Sequence, residues 1–277
     1  QPMLREVSTR ALLLLLFGAD TPGKELLTRC RRLNETANQL LTNPSAEAVK
    51  DLDEVEAFIT YQLALYQKTP HALPNSVLRY FAGRSDLNAQ TVRKNLLYIF
   101  VIGVSNLTGL LRWVVTKLGD DSKLQARVRN MGDTDAKAFC QAIVFETLRL
   151  HQSEYLYRTV RKAFTFDGFR FPRGWLVRVS VRESHRDANH FEDPAKFDPN
   201  RFHRQRPRRD VFAPFGLDHH VCVGAHLSTA VAALLVKSLA SHGNFDIFDD
   251  GKPAPRDRHW EHWQPNAGQK LVWRDRA

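Results

Sequence analysis

Apolar residues recur at helical spacing through the first 150 residues of the chain. One segment carries them on a single face, at Leu26, Cys30, Leu33, Ala37 and Leu40, which predicts an amphipathic helix with Cys30 in the core. Ser45 is predicted to begin the next helix, and Asp133 or Thr134 to cap a strong helix that runs to about Leu150. This part of the chain is therefore predicted to be helical.

The longest predicted helix covers residues 88–118, and its centre is apolar nearly all round. Such a helix is expected to be buried. Four small or polar residues interrupt it, namely Gly103, Ser105, Asn106 and Thr108. Two interpretations stay open: they line a ligand site, or the helix packs around a small glycine with its hydroxyls bonded back to its own backbone.

The pattern changes after residue 150. Residues 156–166 and 175–181 are predicted to be strands, with a hairpin turn at Asp167 and Gly168. Residues 183–210 have little periodicity and are predicted to form an ordered meander. The predicted fold class is mainly α with small β-sheets. We expect one domain over residues 1–277, with a helical part at 1–150 and, at 151–277, a β-rich meander, a cysteine loop and a last long helix.

Composition limits the class of protein. With 43% hydrophobic and 25% charged residues the chain is typical of a soluble globular protein. The net charge of +10 favours an acidic partner, but no nucleic-acid motif is present. The longest apolar run is too short for a membrane span, no secretory signal is visible, and three widely spaced cysteines form no disulfide framework. A cytoplasmic location is expected.

Residues 215–224, F-G-L-D-H-H-V-C-V-G, carry the strongest chemical signal. Cys222 stands at the start of an apolar helical run, where backbone amides and the helix dipole favour a thiolate. A thiolate is a good axial ligand for haem iron. Taken alone, Cys222 is more simply explained as a small buried hydrophobe.

The flanking residues change that balance, because the loop resembles the haem-binding loop of the cytochrome P450 family, F-G-x-G-x-H/R-x-C-x-G. The positions that match are Phe215, Gly216, His220, Cys222 and Gly224. Asp218 departs from the pattern, since the family usually has glycine there. If this turn needs a positive φ, aspartate tolerates it better than most residues.

Further motifs extend the resemblance over residues 90–277. E-T-L-R at 146–149 and F-D-P-N-R-F at 197–202 match the family's E-x-x-R and meander motifs. The resemblance implies a buried structural triad of Glu146, Arg149 and Arg201, and haem b (iron protoporphyrin IX) bound through Cys222. It also implies that Arg158 and His220 hold the haem propionates, with Phe215, Gly216 and Gly224 completing the cofactor site.

Two features depart from the family. On the long helix, the usual acid–threonine pair, which guides protons during oxygen activation, is replaced by Ser105 and Asn106. Ser105 or Thr108 is a candidate to substitute, so these three residues are the predicted catalytic positions. The chain is also shorter than complete members before this helix, so either the protein is short or residues are missing from the sequence.

The resemblance implies a P450-type monooxygenase that oxidises a small organic substrate, expected to be biosynthetic. The first alternative is a degenerate homologue that serves as an auxiliary subunit of another enzyme, such as a glycosyltransferase. A further alternative is a haem-thiolate enzyme that uses peroxide or isomerises its substrate. The altered long helix favours the alternatives, and the retained Cys222 and His220 favour the enzyme.

Residues 201–209 contain five arginines. With Arg201 assigned inward, the docking residues for an acidic ferredoxin-type partner are predicted to be Arg204, Arg206, Arg208 and Arg209. The alternative is a merely solvated basic loop.

Overall fold

The structure is a computed structural model that describes residues 2–40, 43–69, 74–151, 155–204, 208–249 and 268–274, with the side chains of 37–40, 155 and 204 not described. The chain divides into two compact units, Gln1–Gly109 and Leu110–Ala277. The expectation of a single domain over residues 1–277 stays a prediction.

The first unit is helical throughout its described part. Its helices are α1 (Pro2–Phe17), α2 (Lys24–Leu40), α3 (Ala46–Lys68), α4 (Val77–Ala82) and the larger part of α5 (Ala89–Gly119). α2 packs against both α1 and α3, and α4 packs against α1 and α3. Cys30 is fully buried, which confirms its predicted place in the core, and burial raises the pKa of its thiol to about 12.

A side-chain cap begins one helix of this unit, and a glycine with positive φ ends another. Ser45 begins α3 as predicted, because its side chain accepts a hydrogen bond from the Ala48 amide at 3.2 Å. Gly18 ends α1 with a φ of +74°, and a Cβ there would lie 1.8 Å from the Tyr66 hydroxyl. The Tyr66 hydroxyl in turn donates to the Pro74 carbonyl at 2.7 Å. Only glycine fits at position 18.

The second unit is built around α7 (Asp133–His151) and α10 (Ala225–His242), which pack along each other. α6 (Ser122–Asn130) packs on both, and α9 (Asn200–Arg204) packs on α7. α8 (Val181–Ser184) is a single turn. The buried Gln125 side chain donates to the carbonyls of Leu118 and Phe245 and accepts from the Phe245 amide, at 2.8–2.9 Å.

The described strands form three antiparallel pairs. They are β1 (Tyr155–Thr159) with β4 (Leu176–Ser180), β2 (Phe164–Phe166) with β3 (Phe169–Phe171), and β5 (Phe245–Phe248) with β6 (Lys270–Trp273). The predicted fold class, mainly α with small sheets, is confirmed. The turn at Asp167 and Gly168 has positive φ at both residues, which the predicted tight hairpin requires.

One predicted strand is wrong in extent. Residues 156–166 were expected to be continuous, but β1 ends at Thr159 and β2 begins at Phe164. Val160 continues the β1–β4 pairing through backbone hydrogen bonds of 2.8 Å with Gly174 and Trp175, and the chain then bends at Arg161 and Lys162. This bend separates two strands that the sequence pattern had joined.

α5 is long and apolar enough to cross a membrane by length and composition alone. Within its most apolar window 56% is buried inside the protein, as in the core helix of a globular domain. The expected absence of a membrane span stays a prediction.

Candidate functional site

The loop at residues 215–224 doubles back on itself. The Phe215 carbonyl accepts the Cys222 amide at 2.8 Å, and the Ala213 carbonyl accepts the Gly216 amide at 3.1 Å. Gly216 has a φ of +80°, and a Cβ there would lie 2.9 Å from the His220 carbonyl oxygen. This position therefore needs glycine both for its backbone angle and for space.

Asp218 adopts the backbone conformation that glycine usually supplies. Its φ is +53°, and it begins a short 3₁₀ turn over Asp218–His220. Asp is one of the few residues found with some frequency in this region. The departure from the family pattern is thus accommodated by the backbone of this loop.

Cys222 differs from the other two cysteines of the chain by being exposed. Its carbonyl accepts the amide of Ala225 at 3.3 Å, and α10 follows directly, with Gly224 as its N-cap. Cys140, like Cys30, is buried, and burial raises the pKa of its thiol to about 11. The interpretation of Cys222 as a small buried hydrophobe is wrong, since its thiol lies beside the positive end of an 18-residue helix.

The surface around the thiol is open and partly apolar. Val223 is 81% exposed and Val221 is 46% exposed. His220 is also exposed on this loop. Arg158 is exposed on β1, where its guanidinium donates to the carbonyl of Tyr157 at 2.7 Å. No hydrogen bond among the described residues joins Arg158 to the loop, so its role as a propionate ligand stays a prediction.

The structure brings Glu146, Arg149 and Arg201 together. Arg149 donates to both oxygens of Glu146, at 2.7 and 2.8 Å, and Arg201 Nε lies 3.1 Å from Glu146 Oε1. The side chains of Glu146 and Arg149 are 0% exposed, and that of Arg201 is 15% exposed. A carboxylate between two guanidiniums satisfies charges that would be costly to bury alone.

Arg149 also binds backbone that the sequence did not indicate. Its guanidinium donates to the carbonyls of His185 at 2.8 Å, Pro194 at 2.7 Å and Lys196 at 3.1 Å. Glu146 accepts the Asp198 amide at 2.8 Å. The pair therefore holds the irregular segment 185–198 against α7. This segment has no regular secondary structure whose backbone hydrogen bonds could satisfy these carbonyls and this amide.

His185 is a second residue that sequence reasoning missed. It is 1% exposed, and its Nε2 accepts the Ala213 amide at 3.0 Å. Burial, and then the nearby Arg149 cation, lower the pKa of His185 to about 4. Nothing in the periodicity of the meander marks this residue, because its partners lie 36 and 28 positions away.

The polar positions on α5 separate into two kinds. Thr108 is buried, and its hydroxyl donates to the carbonyl of Val104 at 2.6 Å, which favours the packing interpretation for this residue. A Cβ on Gly103 would lie 3.0 Å from Leu12 Cδ1, so the glycine accommodates α1. Ser105 and Asn106 are exposed on the same helix. These residues belong to the first unit, and Cys222 belongs to the second.

The predicted basic docking surface is only partly described. Arg206 and the side chain of Arg204 lie outside the described residues. Arg208 and Arg209 are exposed, and Arg208 Nε donates to Asp210 Oδ1 at 3.0 Å. This ion pair reduces the net charge that Arg208 presents to a partner.

No cluster of three or more metal-ligating side chains occurs within the described ranges. A groove of about 570 Å³ lies along α2 and α3, lined by Glu25, Thr28, Arg29, Arg32, Ala46, Glu47 and Lys50. Its two arginines already face carboxylates. We assign no function to this groove.

Comparison with known proteins decides the family. The model of the family described as Cytochrome P450 matches residues 22–272. The chain belongs to the cytochrome P450 family.

Curated P450 relatives are distant and longer. The chain is 24% identical over 262 residues to abscisic acid 8'-hydroxylase 1 from Arabidopsis thaliana, covering 85% of this chain and 55% of the relative. It is 26% identical over 192 residues to a family 716 P450 from Melia azedarach, covering 63% of this chain and 40% of the relative. The chain thus spans about half or less of these relatives.

Solved structures show the P450 fold. A retinoic acid-bound cyanobacterial P450, CYP120A1, has a TM-score of 0.73 and 21% identity, covering 91% of this chain and 63% of that chain. A zebra fish P450 with progesterone has a TM-score of 0.75 and 20% identity, covering 99% and 71%. The chain therefore has the P450 fold, as its resemblance to the family implies.

The residues present fit the haem that this family implies. The loop offers one exposed thiol immediately before the N-terminus of an 18-residue helix, where the helix dipole favours its thiolate form. Neither Cys30 nor Cys140 could serve, because both are buried. Cys222 is therefore the candidate iron ligand.

Proposed function

We propose that the chain acts as a cytochrome P450 monooxygenase, with Cys222 as the thiolate ligand of haem b. The observation that carries the proposal is the exposure of this thiol at the start of α10, in a chain whose other cysteines are buried. The relatives named as hydroxylases support an oxidative function.

When bound, haem would supply the oxygen-activating chemistry of the family. The protein's part is to hold and orient it. Cys222 would bind the iron, His220 and Arg158 would neutralise the propionates, and Phe215, Gly216 and Gly224 would complete the cofactor site. A charge-assisted hydrogen bond from Arg158 or His220 would fix the orientation of the ring.

The proposed catalytic positions are Ser105, Asn106 and Thr108 on α5. The Thr108 hydroxyl already donates to its own helix, so Ser105 supplies the available hydroxyl. Asn106 can hold a water or a substrate oxygen, but its amide is a poor proton donor. This arrangement suits a substrate that brings its own acid or hydroxyl group.

The substrate is proposed to be a small organic molecule of a biosynthetic pathway. Abscisic acid and retinoic acid are the first to test, because they appear in the names of a relative and of a structural neighbour. Both are carboxylic acids, which agrees with substrate-assisted proton delivery.

Electrons are proposed to come from an acidic ferredoxin in the cytoplasm. Arg204, Arg206, Arg208 and Arg209 would form its docking surface, with Arg208 the weakest contributor because of Asp210. Reduction should slow as salt rises, and further in an Arg206→Glu, Arg209→Glu variant. Reduction insensitive to both changes contradicts this surface.

The altered α5 favours a second candidate, an auxiliary subunit of another enzyme. Neither member of the usual acid–threonine pair is present, and the hydroxyl of Thr108 donates to the carbonyl of Val104 on its own helix. A peroxide-using or isomerising enzyme is compatible with the same observation. A Ser105→Asp, Asn106→Thr variant separates a monooxygenase with substrate-assisted proton delivery from an auxiliary subunit. It should raise oxygen consumption without more product if wild type relies on its substrate, and should change neither if the chain is an auxiliary subunit.

The proposal is tested by the visible spectrum of the reduced protein with carbon monoxide, together with haem content. Wild type should show the red-shifted Soret band of thiolate ligation, Cys222→Ser should lose it, and Cys30→Ala should keep it. A wild type that incorporates no haem, or a Cys222→Ser variant that retains the band, contradicts the proposal.

A further inference from the structure

His185 links two parts of the second unit through its backbone and its side chain. Its carbonyl accepts a hydrogen bond from Arg149 Nη1 at 2.8 Å, and its Nε2 accepts the Ala213 amide at 3.0 Å. One residue thus joins the Glu146–Arg149 pair to the segment that enters the cysteine loop.

The tautomer of His185 follows from these partners. A backbone amide can only donate, so Nε2 must be unprotonated and the proton must sit on Nδ1. Nδ1 is buried and has no hydrogen-bond partner among the described residues. A buried donor without a hydrogen-bond partner is energetically costly. The hydrogen bond at Nε2 is therefore formed although the Nδ1–H group has no partner.

Aromatic packing holds the ring in this position. The imidazole lies 5.0 Å from the Phe212 ring, and Phe212 lies 4.6 Å from Phe202. The ring centroids of His185 and Phe191 are 6.5 Å apart, and the Arg149 guanidinium lies over the Phe191 ring, 5.1 Å from its centroid. The ring cannot turn away without disturbing this cluster.

The amide that His185 binds belongs to Ala213, two residues before the loop of residues 215–224. Ala213 accepts the Gly216 amide through its carbonyl, and two residues after Ala213 the Phe215 carbonyl accepts the Cys222 amide at 2.8 Å. A contiguous series of hydrogen bonds therefore runs from Arg149 through His185 to the loop that presents Cys222. A loop held at its entry has fewer conformations to lose when a ligand binds.

We infer that His185 is a positioning residue, which through the acceptor at Nε2 fixes the entry of the cysteine loop and so the place of the Cys222 thiol. Only its consequence for the iron ligand rests on the proposed function. The hydrogen bonds that carry the inference join groups of the protein itself.

Three variants of His185 distinguish the effect of its hydrogen-bond acceptor from the effect of its aromatic packing. His185→Phe keeps a ring against Phe212 but removes the acceptor. His185→Gln can place its side-chain carbonyl near the position of Nε2, and His185→Asn is too short to do so. Gln125→Ala is the matched control, because it removes a buried polar side chain elsewhere in the same unit.

The first measurement is hydrogen–deuterium exchange on haem-free protein. The amides of residues 213–222 should exchange about five- to tenfold faster in His185→Phe and His185→Asn, since they lose one hydrogen bond at the loop entry. His185→Gln should restore protection, and Gln125→Ala should leave this segment unchanged. Equal protection in wild type and His185→Phe, or no rescue by glutamine, overturns the inference.

The second measurement is the reduced carbon monoxide spectrum of the same proteins. His185→Phe should show a smaller fraction of thiolate-ligated haem than His185→Gln at equal haem content. If wild type lacks the thiolate band while the exchange pattern holds, the proposed function fails and the positioning role stands. If exchange is unaffected, the positioning role fails whatever the spectrum shows.

Discussion

Each compact unit contains a buried carboxylate that is bound by two arginines. The two clusters differ in the burial of these arginines and in their further hydrogen-bond partners. In the first unit Asp51, with a side chain 2% exposed, accepts two hydrogen bonds from Arg32, at 2.7 and 2.6 Å, and one from Arg29 at 3.3 Å. In the second unit Glu146 is 0% exposed between Arg149 and Arg201.

The difference lies in what surrounds the arginines. Arg29 and Arg32 are 16% and 37% exposed and have further carboxylates nearby, from Glu25, Glu47 and Glu54 at 2.6–3.9 Å. Arg149 is fully buried, and three of its contacts are backbone carbonyls. The first cluster joins two helices that already pack together. The second holds an irregular segment, so its removal leaves buried backbone groups as well as charges unpaired.

The largest effect is expected for Glu146→Ala. This change leaves two cations facing each other beside α7 and should lower the free energy of unfolding by about 3–5 kcal/mol. Urea denaturation at neutral pH measures it. An unchanged denaturation midpoint in soluble Glu146→Ala protein would show that the carboxylate does not stabilise the fold. It would contradict the stronger dependence of the second unit on its cluster.

A matched pair of substitutions tests the role of the carbonyl contacts. Arg149→Lys loses both the bidentate geometry and most of its carbonyl partners and should cost about 2–4 kcal/mol. Arg32→Lys loses only a partly exposed bidentate pair and should cost about 1 kcal/mol or less. Equal costs for the two substitutions contradict the claim that backbone contacts distinguish the clusters.

Asp51→Asn should be milder than Glu146→Ala. The change leaves Arg29 and Arg32 without their shared partner, but both reach water and neighbouring carboxylates. We expect a loss of about 1–2 kcal/mol. Thermal unfolding of Asp51→Asn and of the neighbouring exposed Asp53→Asn, as control, should differ by several degrees.

The clusters should also weaken at different pH. The arginines, Arg32 first, hold the pKa of Asp51 below its usual value, so its stabilisation is present above about pH 4 and is lost as pH falls further. His185, beside Arg149, has its pKa lowered to about 4. The unfolded chain takes up a proton there near pH 6.5, so stability should fall by about 1 kcal/mol between pH 6.5 and 5.5.

Two variants separate these contributions to the free energy of unfolding: Asp51→Asn for the carboxylate and His185→Gln for the imidazole. The difference in the free energy of unfolding between wild type and His185→Gln should change between pH 6.5 and 5.5. The corresponding difference for Asp51→Asn should stay constant over the same pH range. A pH-independent difference for His185→Gln contradicts the assignment of a neutral buried imidazole.

The sequence by itself determined the features whose partners are close along the chain. Gly216, Asp218 and Gly224 set the backbone of a ten-residue loop, and the helix that follows exposes Cys222 at its start. Glu146 and Arg149 are three positions apart on one helix, so their pairing follows from helical geometry. The same reasoning placed Cys30 in the core and the hairpin turn at Asp167.

Only the tertiary structure decided the contacts that close long loops. Asp51 pairs with arginines 19 and 22 positions away, and Arg149 binds carbonyls 36–47 positions away. No local pattern encodes these choices, because each depends on which distant backbone groups burial leaves in need of a partner.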